Sequence, residues 1–168
     1  MDTEIAVRLA TLNDLKEICG IVSNAIQTME SCRIFQWDAH YPNEDTLRDD
    51  ILKRQMFITH IDSQIASFFV LNKEYDAQYE NGNWKYTGSA FAIVHRLCVN
   101  PQFQNRRIGT RTMITLENML KQEKTEAARL DVFSENPYAL HMYKELGYVH
   151  AGEAQWRKGL FYLYEKLL

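Results

Sequence analysis

The chain has 168 residues, which suits one domain (residues 1–168) with room for a sizeable core. Hydrophobic residues at 46% and aromatics at 12% exclude disorder, and a net charge of −3 argues against a general nucleic-acid or anionic-membrane binder. No apolar run approaches the roughly 18 residues of a membrane span, and the acidic start "MDTE" is unlike a signal peptide. Cys19, Cys32 and Cys98 are odd in number and lack metal-ligand spacing. They read as buried thiols in a reducing compartment, so the expectation is a cytoplasmic protein with no metal.

In chain order, "IAVRLA" (Ile5–Ala10) predicts a short strand. Thr11, with Asp14 three residues on, opens a helix in a capping-box arrangement. Leu12, Leu15, Ile18, Val22, Ile26 and Met29 recur at steps of three and four and define its apolar face. A loop leads to a second short helix near Glu44 to Arg54. "MFITHI" and "IASFFVLN" flank "DSQ" as a hairpin, and the polar, Tyr/Trp-rich stretch Lys73–Gly88 reads as a long connection. Ala90–Val99, apolar on both parities except at His95 and Arg96, predicts a central strand. A helix from Ile108 to about Gln122 follows, with Met113, Leu116 and Leu120 on one face, and then a strand "ARLDVF". Asn136 as N-cap, Pro137 at the first helical position and Gly147 as stop delimit another helix, and "FYLYEKLL" closes with a strand. The order β-α-α-β-β-β-α-β-α-β predicts an α/β fold, a mixed sheet with helices on both faces.

One segment departs from the acidic average. From Asn81 to Leu116 there is no Asp or Glu, while Lys85, Arg96, Arg106, Arg107 and Arg111 are present. A strand, a cationic turn and a helix starting at a small residue make the geometry of an anion site, because first-turn N–H groups are unpaired and the helix dipole is positive there. An ordinary solvated turn fits the same spacing, since neither dinucleotide nor P-loop glycines are present.

"QNRRIG" (Gln104–Gly109) resembles the acyl-CoA-binding turn Q/R-x-x-G-x-G/A of the GNAT superfamily of N-acyltransferases, and "LDVFSENPYALHMYKELGYVHAG" resembles that family's second signature. The resemblance is close from Val94 to Gly152 and extends over the rest by element order. It implies a central, mostly antiparallel sheet splayed at the cofactor site. It also implies direct acetyl transfer from acetyl-CoA to an amine of a small molecule or peptide. A non-catalytic acyl-CoA sensor is the alternative, and a homodimer is left open. Arg107 stands where the family has its first glycine. Either the backbone there has no need of positive φ, or the arginine is recruited to the phosphates.

The resemblance assigns the cofactor to Leu97, Cys98, Val99, Gln104, Asn105, Arg106, Arg107, Ile108, Gly109, Thr110 and Asn136. Backbone N–H groups at Leu97–Val99 would meet the thioester oxygen. An alkyl amine near neutrality is mostly charged, a deficit of roughly 4 kcal/mol, so a base is needed. His95, on the parity of Phe91, Ile93, Leu97 and Val99, is the candidate, a packed core histidine being the other reading. Tyr143 matches the motif tyrosine that protonates the leaving thiolate; it also fits as a helix anchor. Phe35, Trp37, Asp38 and Tyr41 fit an acceptor pocket, aromatic with one carboxylate, although Trp37 serves equally as a core plug.

Overall fold

A computed structural model describes residues 5–168. The acidic start Met1–Glu4, read above as unlike a signal segment, lies outside the described residues. The first half holds strand β1 (Val7–Leu9), helices α1 (Leu15–Ser31) and α2 (Glu44–Leu52), and strands β2 (Met56–Ile61), β3 (Gln64–Asn72) and β4 (Phe91–Val99). The second half holds α3 (Ile108–Gln122), β5 (Ala127–Phe133), α4 (Pro137–Glu145), β6 (Val149–Trp156) and β7 (Gly159–Leu167). The seven strands are ordered β1-β2-β3-β4-β5-β7-β6, with β4 and β5 parallel. The pairs β1/β2, β2/β3, β5/β7 and β6/β7 are antiparallel. This is the mixed, mostly antiparallel sheet expected. Strand β6 was missed: only Ala154 in it is fully buried, so "VHAGEAQW" shows no clean alternation.

The chain packs as two compact units, one running to Leu71 and including Arg96–Thr115, the other holding Asn72–His95 and Leu116–Leu168. In the first, α1 buries Leu15, Ile18, Ile21, Val22 and Ala25 against Trp37, Leu47, Ile51, Met56 and Phe68. Ile21 and Ala25 therefore replace Leu12 on the expected face, and Leu12 is exposed. The helix entry is fixed locally, because Asp14 accepts from the Thr11 N–H at 2.7 Å and from two Arg8 nitrogens at 2.8 Å each. Asp62 and Ser63 carry φ of 49° and 67°, the two left-handed positions of a two-residue hairpin turn, which puts Gln64 in β3 rather than in the turn. Adjacent Phe68 and Phe69 are both fully buried, so β3 is covered on both faces.

In the second unit Tyr79, Ile93, Ala154 and Leu163 form a core with Trp84, Phe91 and Trp156 packed on it. The buried Arg129 pairs with Glu165 at 3.1 Å and lies between aromatic faces, 4.5 Å from the Trp84 centroid and 4.2 Å from that of Phe91. The long connection folds back along β6. The Asn83 N–H donates to the Ala151 carbonyl at 2.7 Å and the Asn81 side chain to the Glu153 carbonyl at 3.1 Å. A Cβ on Gly152 would come within 2.8 Å of the Asn81 carbonyl, so the close approach requires glycine there. Of the three cysteines only Cys98 is fully buried, and Cys32 is exposed, contrary to expectation. No helix among the described residues is long and apolar enough to cross a membrane.

Candidate active site

In the first unit, β4 ends in a distortion. Arg96 has φ 51°, which interrupts the two-residue alternation, so the parity shared by His95, Phe91 and Ile93 does not extend to Leu97 and Val99. The Arg96 side chain makes a bidentate pair with the buried Asp50 of α2 at 2.7 and 2.5 Å and donates to the Tyr41 hydroxyl at 2.7 Å. Burial pushes the Asp50 carboxyl up and Arg96 pulls against it. The pair ties α2 and the loop before it to the strand break. No local pattern signals this pair, because Asp50 and Arg96 are 46 residues apart.

Beyond the break, Asn100 holds the chain to β3 by donating to the Ile65 carbonyl at 2.9 Å and accepting from the Gln102 N–H at 3.1 Å. Phe103 and Ile108 are buried and pin the two ends of the turn, while Gln104, Asn105, Arg106 and Arg107 between them are exposed. Asn105 and Arg107 are left-handed, at φ 62° and 57°, with Arg106 between them outside that region. Such alternation turns successive N–H groups toward one concavity, an anion-binding nest. The Arg107 carbonyl accepts the Arg111 N–H at 3.0 Å, which makes Arg107 the N-cap of α3. Arginine has no acceptor with which to satisfy the first-turn N–H groups, and that turn holds no carboxylate. Of the two readings of Arg107, the first is corrected: positive φ is adopted, and by an arginine. Gly109 and Thr110 lie in the first turn of α3, half-buried, and Arg106 stacks on Phe103 at 5.6 Å.

The expected acceptor pocket divides. Trp37 is buried in the core of this unit, as its reading as a core plug expects. Asp38 folds back on its own loop, accepting from the His40 and Tyr41 N–H groups at 3.0 and 3.2 Å. Phe35 and Tyr41 are exposed.

In the second unit, β4 and β5 pair over three residues only, Phe91–Ile93 with Ala127–Arg129, while β5 continues alongside β7 to Phe133. The parallel ladder thus opens before His95, which is half-buried. Asn136 caps α4 by accepting from the Ala139 N–H at 3.1 Å. The other end is a Schellman motif: the Tyr148 N–H donates to the Tyr143 carbonyl and the Gly147 N–H to that of Lys144, both at 3.0 Å, with Gly147 at φ 88°. The two tyrosine rings meet edge to face at 5.6 Å, the apolar contact that accompanies this motif. Tyr143 is buried, and burial first, then the Asp131 carboxylate, raises its phenol well above the ordinary value.

Residues 24–148 match the family model described as "Acetyltransferase (GNAT) family". The fold is similar to that of a GNAT-family acetyltransferase from Streptococcus agalactiae, at 22% identity and a TM-score of 0.84, covering 98% of this chain and 95% of that one. It is also similar to PaiA N-acetyltransferase from Thermoplasma acidophilum, solved in complex with coenzyme A (16% identity, TM-score 0.73, covering 99% and 100%). A third similar structure is the ribosomal-protein-S18-alanine N-acetyltransferase from Escherichia coli (16% identity, TM-score 0.71, covering 96% and 92%). No curated protein matches the sequence.

Proposed function

The chain belongs to the GNAT family of acetyltransferases, and from that premise we propose that it moves an acetyl group directly from acetyl-CoA to a primary amine of a small molecule or peptide. The observation that carries the proposal is the turn Gln104–Arg107, a nest of backbone N–H groups followed by a helix start with no acidic side chain. In this reading the pyrophosphate rests on the N–H groups of Asn105 to Thr110, and Arg106, Arg107 and Arg111 supply charge. Asn136, besides capping α4, contacts the cofactor. The amine nitrogen attacks the thioester carbonyl carbon; a C–N bond forms, the C–S bond breaks and the thiolate leaves. Backbone N–H groups at Leu97–Val99 stabilise the oxygen as charge develops on it. His95, directly or through a water, takes the proton that the amine loses.

Tyr143 faces the departing sulfur in this scheme. Its raised pKa keeps the phenol protonated at neutral pH. The same shift makes full transfer to a thiolate with an ordinary pKa near 8.5 uphill, so the hydroxyl acts first as a hydrogen-bond donor to the developing charge. Phe35, Asp38 and Tyr41 line the acceptor side in this reading, with the buried Trp37 packed behind them as the wall of the loop.

Thiol release from acetyl-CoA across a panel of amines tests the activity. Turnover with at least one amine is expected. Saturable CoA binding with no turnover on any amine would replace the enzyme with a sensor of acyl-CoA.

A further inference from the structure

Three hydroxyls in the first unit are completely inaccessible to solvent: Thr59 on β2, Ser67 on β3 and Thr112 on α3. They form a chain, Thr59 Oγ1 to Ser67 Oγ at 2.6 Å and Ser67 Oγ to Thr112 Oγ1 at 2.7 Å. Thr112 Oγ1 donates onward to the Ile108 carbonyl at 2.8 Å. Each hydroxyl carries one hydrogen, and that last bond uses the hydrogen of Thr112. Ser67 must therefore donate to Thr112, and Thr59 to Ser67. The direction is fixed without seeing a proton: all three O–H dipoles run from the sheet toward the first residue of α3.

Apolar side chains of the same shape would fill this space without the desolvation that three buried hydroxyls cost. A fully satisfied polar chain in a low-dielectric core polarises along its length and locks one geometry. This one ends at Ile108, the residue after the left-handed Arg107, where the helix meets the exposed turn. Its positive ends point toward that helix start, the same sense as the helix dipole.

We infer that Thr112, relayed through Ser67 and Thr59, is a positioning residue for acyl-CoA: the hydroxyl chain holds the first turn of α3 in the conformation that receives the pyrophosphate. The inference rests on the cofactor reading above. Three variants test it, with CoA affinity measured by calorimetry, steady-state kinetics by thiol release, and melting by circular dichroism. Thr112→Val keeps the shape and deletes the terminal donor. It should raise the CoA Kd and the KM for acetyl-CoA about fivefold, the worth of one ordinary hydrogen bond, with kcat little changed. Thr112→Ser restores the donor and should restore affinity. Thr59→Val removes the head of the chain, and should lower the melting temperature and raise the CoA Kd by a smaller factor than Thr112→Val does. If Thr112→Val melts lower but binds CoA like the wild type, the chain is purely structural and the inference falls alone. If Thr112→Val does not fold, Thr112→Ser decides: CoA affinity equal to wild type upholds the role of the hydroxyl, and a loss of affinity with the donor present overturns it. A wild-type chain that fails to bind CoA overturns the cofactor reading and this inference with it.

Discussion

Arg107 adopts φ 57° at a position where a glycine would be relaxed. A non-glycine residue held in that region costs about 1 kcal/mol or more, which persists only where the surroundings or a function impose it. Arg107→Gly should therefore stabilise the fold in urea unfolding by about 1 kcal/mol. If the guanidinium is a phosphate ligand, the same change should weaken CoA binding about tenfold, so that the two effects have opposite signs. An unchanged or tighter Kd would mark Arg107 as a strained bystander. The sequence showed which residue replaces the glycine but could not show its backbone angle, which the buried anchors Phe103 and Ile108 impose from either side. Tyr143 offers a second single-residue test. Tyr143→Phe keeps the edge-to-face packing on Tyr148 and removes the hydroxyl, so kcat should fall about 100-fold with melting temperature and CoA affinity preserved. A kcat within about twofold of wild type while chemistry is rate-limiting would make Tyr143 a helix anchor.

At the scale of elements, α4 was legible end to end because its signals are local. Asn136, Pro137 and Gly147 are the chemistry of a cap, a first turn and a left-handed stop, and each occupies the expected place. Gly147 has open space where a Cβ would go, the nearest atom being Lys166 Cε at 3.9 Å. Substitution there is therefore strained by conformation and not by collision. Gly147→Ala should cost about 1–2 kcal/mol in denaturant unfolding, and Gly147→Asn less, since asparagine tolerates the left-handed region. Equal losses for both would point to a packing role instead. What the sequence hid at this scale depended on distant partners. Strand β6 has too little burial to show a period, Trp37 is placed by a core assembled from remote segments, and the buried hydroxyls of Thr59 and Ser67 sit inside apolar runs that give no hint of Thr112.

For the molecule as a whole, buried acids set the alkaline limit of stability. Burial raises the Cys98 thiol from 9.0 to about 12, and Tyr143, Tyr148 and Tyr164 are also raised, first by burial. Below pH 9 the thiol is neutral in folded and unfolded chains alike, so its contribution is present in full. As pH rises from 9 toward 12 the unfolded thiol ionises first, and stability is lost, by at most about 4 kcal/mol from this group. Urea midpoints measured from pH 8 to 11 should fall, and less steeply in Cys98→Ala. An identical slope in that variant would assign the limb to the tyrosines. The other boundary of the molecule is mechanical. Strand β6 is the last of the sheet, and the stretch Asn81–Asn83 lies against carbonyls that a bare edge would offer to any passing strand. A segment that looks in the sequence like an overlong connection thus works as a selvedge along β6, occupying the Ala151 and Glu153 carbonyls that a second copy could otherwise pick up as the next thread.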